Sequence, residues 1–320
     1  MTTLIRYAVL LSLGFVLEVS AYPKPGNIHR LRDFSDTRFE DFLIAGVFAV
    51  HHLYRGIRRG LRLSKGSLLK NTVGDVIYGI VKNSMYLSGG GNTSLGTALL
   101  ISPLSLSVGF LKERYRAIEL DAKLVAEVAK DLIESYSTVY DSIMMYRAVR
   151  CASPSYIKRH KPTDTIYPDV WSPSYRREII EGNYRLWDIL AYSSRYDMVA
   201  REIVEGYSRA LELMKHISDR IAVHGDWNRA IVETYLYLLS KEMDTLIVRK
   251  NGVEIAKYVM SSAKDLYKLC KEDWNLCIDS LKSFDDELHR ENINPGSTAD
   301  IVASAISLYA LSRGRKIIRV

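Results

Sequence analysis

Apolar residues recur at helical spacing along almost the whole of this 320-residue chain. A 3.6-residue repeat places its apolar side chains on one face of a helix and scatters them over both faces of a strand, so the pattern excludes most sheet folds. Residues 3–20 are apolar all round, the mark of a helix with no solvent face. Further helices are expected at 37–62, 66–86, 93–108, 111–147, 175–190, 197–219, 227–243, 251–280, 283–290 and 298–313. No two segments alternate as a hairpin would, and no internal repeat occurs. The expected fold class is all-α: a single multi-helix domain over residues 1–320, with polar Gly/Pro turns at its helix ends. A stretch with four prolines, at about 151–174, reads as a long crossing loop, and loops of that length are often functional.

The first apolar run, followed by "EVSAYPKPGNIHR", also has the outline of a secretory leader. Glu18 beside the supposed cleavage point and a lone Arg6 ahead of the run favour a buried first helix instead. No later segment has eighteen uncharged apolar residues, so a multi-span membrane protein is not expected. The three cysteines, Cys151, Cys270 and Cys277, match no metal spacing. Cys270 and Cys277 stand seven apart on one expected helix, two turns from each other, and are not expected to bridge. Reduced thiols fit a cytoplasmic protein. The net charge of +7 is diffuse, apart from clusters such as "YRGIRRGLRLSKG" and "RGRKIIRV". It suits an anionic ligand such as a polyphosphate. With no zinc knuckle, RNP-like motif or helix-turn-helix pattern, nucleic acid is not an expected partner, and neither is a membrane. The oligomeric state is open, a homodimer included.

Three Gly/Pro-bearing polar turns interrupt the helices: "YPKPGNIHR" (22–30), "SGGGNTSLG" (88–96) and "NINPGSTAD" (292–300). Two further polar segments, "HGDWN" (224–228) and "MDTLIVRKNG" (243–252), lie beside helix ends. Each has an ordinary structural reading. Gly89, Gly90 and Gly91 suit a helix C-cap, and Asn92 and Thr93 an N-cap. Asp36 suits an N-cap, with Glu40 paired to a neighbouring cation, and Asp226 suits another N-cap. Ser297 and Asp300 have capping-box spacing. Asp197, Arg201 and Glu205 make an i, i+4, i+8 ladder, usually a solvated face.

Taken in order, these segments resemble the triphosphoribosyl-dephospho-CoA synthase family, the CitG/MdcB-like proteins, with an archaeal-type member in view. The E-V-S-x-x-P-K-P-G turn is met by Glu18, Val19, Ser20, Pro23, Lys24, Pro25 and Gly26. The acidic element is met by Asp36, with Glu40 and Asp41 nearby. The G-G-x-N-T-H-K-G loop is met by Gly89, Gly90, Gly91, Asn92, Thr93 and Gly96, with Ser94 and Leu95 where the family has His and Lys. Arg201, Glu202, Glu205, Gly206 and Tyr207 resemble its R-G-E-x-x-x-G-Y element. Asp226, Asn228, Asp244 and Thr245 match its D-x-x-N and D-T positions. Asn292, Pro295, Gly296, Ala299 and Asp300 match its C-terminal motif. The resemblance runs from residue 5 to 313, and it keeps residues 3–20 as structure.

The resemblance implies transfer of the triphosphoribosyl group of ATP to the ribose 2′-hydroxyl of 3′-dephospho-CoA, with adenine released and Mg²⁺ as cofactor. It implies phosphate or substrate contacts from Lys24, Arg30, Gly89, Gly90, Gly91, Asn92, Thr93, Arg201, Asn228 and Asn292. Asp36, Glu40, Asp226 and Asp244 become candidate metal ligands; Asp36 and Glu40, four apart, would share a face of a helix start. Glu202, Glu205 and Asp300 become candidate catalytic carboxylates. Two other readings stay open: the same donor chemistry on another nucleotide or cofactor acceptor, suggested by Ser94 and Leu95, and a helical nucleotide- or nucleic-acid-binding protein without transfer activity.

Overall fold

The computed structural model describes residues 3–115, 120–153, 166–315 and 317–318. Its described residues form fifteen helices and no strand. The first half contains α1 (Thr3–Val19), α2 (Phe39–Ser64), α3 (Gly74–Ser88), α4 (Leu95–Tyr115), α5 (Ala122–Tyr136), α6 (Val139–Ala152), α7 (Tyr175–Glu181) and α8 (Leu186–Ser193). The second half contains α9 (Met198–Val204), α10 (Ser208–His224), α11 (Trp227–Lys241), α12 (Thr245–Asn251), α13 (Val253–Glu272), α14 (Trp274–Arg290) and α15 (Gly296–Arg313).

Three helices that lack a polar face make the centre. α4 and α15 are buried nearly throughout, and α1 packs between α2 and α15. α4 alone among the described helices is long and apolar enough to cross a membrane, but most of it is covered by neighbouring helices. α2 is amphipathic and lies along α4. The two backbones meet where Gly60 faces the Leu106 carbonyl and Gly109 faces that of Ile57, with no room for a side chain. Two serines of α4 are accommodated in the core by local bonds, Ser102 Oγ donating to Ala98 O at 2.6 Å and Ser105 Oγ to Ser102 O at 2.6 Å, and the third, Ser107, donates to Val125 O of α5 at 2.7 Å.

Several expected helices are shorter or broken, each at an identifiable cap. The helix expected from 66 begins at Gly74, where the buried Asp141 carboxylate accepts the amides of Thr72, Val73 and Gly74. The expected 111–147 helix is divided by the Asp121 cap and by a Thr138–Asp141 capping box. The 175–190 segment is two short helices, and 197–219 breaks after Val204. The 251–280 helix ends at Glu272, and Asp273 caps the next one by accepting from Asn275 N and Leu276 N.

That last break overturns the thiol expectation. Cys270 and Cys277 lie on different helices, α13 and α14, with Cα atoms 4.9 Å apart and their sulfurs joined in a disulfide. The two-turn separation expected of one helix does not exist, so these cysteines lend no support to a cytoplasmic location. Cys151 is free. Of the expected 151–174 loop, Cys151 and Ala152 end α6 and residues 166–174 are irregular; 154–165 lie outside the described residues.

Candidate functional site: an acidic cavity between helix ends

The turn after α1 is locked from inside. Lys24 is fully buried; its ammonium donates to Glu18 Oε1 and, at 3.1 Å, to Asn27 Oδ1. Burial pushes Lys24 down and Glu18 up, each toward its neutral form, and the bond between them opposes both shifts. The Lys24 side chain is thus engaged inside the protein and is not on the cavity wall; it stands behind Glu18, which lines the cavity described below. Arg30 is likewise committed: it donates to Ser20 O and to Asn228 Oδ1 at 2.9 Å. Asn228 also accepts from Tyr22 N at 2.9 Å and donates to Tyr22 O. Arg30 and Asn228 thus hold the turn, not a ligand. A buried Asp285 adds a third tie, accepting from Gly26 N at 2.9 Å and contacting His29 and His289 at 3.0 Å. These two imidazoles hold the Asp285 carboxyl down at about 2.

Breaking the Lys24–Glu18 pair should act on folding more than on ligand affinity. Lys24→Met leaves a buried carboxylate uncompensated, at an expected cost of about 3–5 kcal/mol. The Lys24→Met/Glu18→Gln double variant should recover most of that loss. Urea unfolding midpoints for the three proteins check this.

The glycine loop is a cap and a close packing, not an amide cradle. Gly89 takes φ +69° as the C-cap of α3, its amide bonded to Met85 O at 3.1 Å. Gly90 N donates to Ser88 Oγ at 3.1 Å and Gly91 N to Asp36 O at 2.6 Å. All three amides are thus engaged within the protein. Asn92 Oδ1 accepts from Ser94 N and Leu95 N at 3.4 and 3.2 Å just ahead of α4, whose cap position is Ser94 and not Asn92 or Thr93, because Ser94 O accepts the first helical bond, from Ala98 N at 2.8 Å. Thr93 Oγ1 meets Ser84 Oγ at 2.9 Å.

Around this loop stand carboxylates. Asp36 lies before α2, which begins only at Phe39, so it shares no helical face with Glu40 and is not its N-cap. It accepts from Thr37 Oγ1 at 3.1 Å. Asp300 comes from 203 residues away to accept from Thr97 Oγ1 at 2.5 Å, against Gly96. α15 begins at Gly296 with Pro295 as N-cap, so Ser297 and Asp300 form no capping box. Burial, with smaller additions from Glu18, Asp244 and Asp197, pushes the Asp300 carboxyl up to about 7 against the Thr97 bond.

The other candidates are structural. Asp244 is buried, accepting from Leu246 N at 2.8 Å, Ile247 N at 3.2 Å, Thr298 N at 2.7 Å and Thr298 Oγ1 at 2.8 Å; four donors leave it no room for a metal. Asp226 is exposed and caps α11, accepting from Arg229 N at 3.2 Å. Glu40 is exposed in the first turn of α2. Arg201 donates to Ser194 O at 2.9 Å and closes the end of α8, and Asp197 caps α9, so the ion ladder does not form. Glu202 is fully buried, accepting from Ala210 N at 2.8 Å beside Arg209, while the exposed Glu205 pairs with the same arginine at 2.6 Å. Neither reaches the cavity.

Burial, the largest effect, pushes the Glu202 carboxyl up to about 7. The folded chain then holds this proton more tightly than the unfolded chain, so the contribution of Glu202 to stability falls as pH rises from the ordinary carboxyl range through 7. Glu202→Gln should therefore raise stability at pH 8, by up to about 3 kcal/mol, with the gain vanishing below pH ~4. Thermal unfolding of both proteins across this range tests it.

The helix ends border a cavity of about 1140 Å³. Of the sequence candidates, Asp36, Gly91, Asn92, Thr93, Asn292 and Asp300 line it. Lys24, Arg30, Glu40, Gly89, Gly90, Arg201, Glu202, Glu205, Asp226, Asn228 and Asp244 do not. Its wall carries five carboxylates, from Glu18, Asp36, Asp169, Asp197 and Asp300, against two cations among the described residues, Arg249 and Lys250. Arg249 pairs with Asp197, and Lys250 is exposed. Glu18, Arg249 and Lys250 were absent from the sequence candidates, although Glu18 and both cations stand in the quoted segments "EVSAYPKPGNIHR" and "MDTLIVRKNG". The lining also has aromatic and aliphatic members: Tyr146, Tyr167, Tyr192 and Tyr196, with Val149 and Leu190.

Fold and site together define an all-helical protein built round one large, carboxylate-rich cavity whose polar wall is made of helix ends. The chain belongs to the CitG family, ATP:dephospho-CoA triphosphoribosyl transferase, whose model matches residues 5–318. It is similar to the 2-(5''-triphosphoribosyl)-3'-dephosphocoenzyme-A synthase of Escherichia fergusonii, 31% identical over 117 residues, 35% of this chain and 38% of that protein. A synthase of the same description from Klebsiella pneumoniae is 31% identical over 90 residues, 28% of this chain and 30% of the relative. The aligned stretches thus span well under half the length of these curated relatives. A crystal structure of a provisionally assigned triphosphoribosyl-dephospho-CoA synthase from Archaeoglobus fulgidus superposes with a TM-score of 0.57 at 22% identity, over 84% of this chain and 98% of the other. That likeness bears on the fold.

Proposed function

We propose that this chain transfers the triphosphoribosyl group of ATP to the ribose 2′-hydroxyl of 3′-dephospho-CoA and releases adenine. The observation that carries this reading is the cavity: larger than the ~300–1,000 Å³ of an ordinary small-molecule site and lined by five carboxylates. In the reaction the C1′–N9 bond of ATP breaks and a bond from the acceptor O2′ to C1′ forms. The acceptor proton passes to the Asp300 carboxylate, whose affinity near neutrality suits a general base. Adenine leaves and takes up a proton, which completes the balance. A carboxylate beside C1′ would stabilise the oxocarbenium-like transition state, and we assign this role to Glu18, which lines the cavity and is paired with Lys24.

ATP brings about four negative charges into a wall already rich in carboxylates, so a counter-ion has to accompany it. No group of three or more metal-binding side chains occurs among the described residues. This donor set fits Mg²⁺ carried on the phosphates and held by one or two protein carboxylates, as is usual for that ion. Asp36 is the wall residue to hold it, and the ion would neutralise and orient the triphosphate. Arg249 and Lys250 take the role first expected of Lys24 and Arg30, supplying fixed positive charge for the phosphates.

Free adenine, measured by chromatography after incubation with ATP, Mg²⁺ and 3′-dephospho-CoA, tests the proposal. Adenine that appears only with the acceptor, together with a product heavier by one triphosphoribosyl group, is expected. Adenine without such a product, or neither, would refute it.

A further inference from the structure

We propose that the tyrosine wall of the cavity, formed by Tyr167, Tyr192 and Tyr196, stacks the adenine base of the acceptor nucleotide. The inference rests on the two-nucleotide reading above and adds where the second nucleotide lies. The cavity lining is mixed: Glu18 from the end of α1, Asn92 and Thr93 ahead of α4 and Asp300 of α15 are polar, while Tyr167 before α7, Tyr192 of α8 and Tyr196 just after α8 are aromatic, with Asp169 and Asp197 close to them in the chain. Neighbouring rings are in contact but crossed, with centroids 5.1 Å apart and planes at 58° for Tyr167–Tyr192, and 5.6 Å and 82° for Tyr192–Tyr196; the Arg195 guanidinium lies 5.2 Å over the Tyr192 ring, so a base would cover one ring face at a time.

These rings differ from the core tyrosines of the same protein. Tyr207 and Tyr235 are fully buried and donate their hydroxyls to Leu100 O at 2.7 Å and Pro25 O at 3.0 Å. Tyr196 keeps 51% of its surface exposed, and Tyr167 and Tyr192 are half-buried. A row of partly open rings on a cavity wall presents apolar faces that a flat heteroaromatic base can cover.

The acceptor is the better occupant because the donor's adenine must depart, whereas the acceptor's base remains in the product, so stacking on it does not retain a leaving group. Both riboses can then converge on Glu18 and Asp300.

Binding of 3′-dephospho-CoA and, separately, of MgATP is measured by calorimetry for the wild type, Tyr192→Ala, Tyr196→Ala and the two Tyr→Phe variants. Each alanine variant is expected to weaken 3′-dephospho-CoA binding by roughly tenfold to a hundredfold, with ATP affinity within about twofold of wild type. The phenylalanine variants should bind as wild type does, because the ring face is retained. Tyr196 is exposed enough that its loss should not unfold the chain, and thermal unfolding of each variant confirms this. Unchanged acceptor affinity in both alanine variants, or an equal loss for ATP, overturns the stacking site while leaving the transfer reaction standing. If 4′-phosphopantetheine alone competes with 3′-dephospho-CoA and its competition is lost in the alanine variants, the wall holds the apolar arm instead, and the inference is overturned. Wild type that binds neither nucleotide overturns both this inference and the proposed reaction.

Discussion

Asp300→Asn should lower the rate of adenine release by about 10²–10⁴-fold while leaving the chain folded. Asparagine keeps an oxygen to accept from Thr97 Oγ1, so the link between α15 and α4 survives. It removes the only property a base needs, the capacity to gain a proton near neutrality. The carboxyl it replaces is strained by burial and by other carboxylates, so the variant should be as stable as wild type at pH 8, or more so. A fall in turnover with intact thermal unfolding supports the assignment. A variant that turns over at the wild-type rate would remove Asp300 from the mechanism, and one that unfolds would make it a structural residue.

Gly96→Ala should cost about 10² in turnover through geometry alone. A methyl group at Gly96 would overlap the Asp300 carboxylate, which must then swing away. A misplacement of about 1 Å can reduce rate by that factor. Alanine is also the better helix former, by up to ~1 kcal/mol, and Gly96 sits in the first turn of α4. Stability is therefore expected to change by less than about 1 kcal/mol. Turnover lost at constant stability, with ATP binding retained, is the expected signature. Retained turnover would mean that the carboxylate can reach its working position by another rotamer.

Asp300 and Lys24 show how unevenly the site could be read in sequence. Both belong to the family pattern, and both carry the right charge for the role assigned. Asp300 lies on the cavity wall; the Lys24 ammonium is turned inward to Glu18. No local signal separates the two: Lys24 lies between two prolines and Asp300 five residues after one. The glycine loop is ambiguous in sequence for a related reason. Its spacing fits both an amide cradle and a cap, and the choice depends on whether partners such as the Asp36 carbonyl lie opposite. The breaks at Asp121 and Thr138 are different: both carry ordinary cap residues in the right place, legible beforehand but hidden by the continuous helical repeat around them.

The sequence by itself determined the all-helical class, the approximate course of most helices and the segments from which the cavity would be built. Those follow from local hydrogen bonding and a 3.6-residue repeat, which a chain carries with it wherever it folds. Only the tertiary structure decided which carboxylates face the cavity, which cations are withdrawn from it and which cysteines meet. Those outcomes depend on groups far apart in the chain: Thr97 with Asp300, Asp141 with the start of α3, Asp244 with Thr298. A polar side chain at a helix end turns toward whichever partner satisfies it once water is excluded, and packing alone determines that partner.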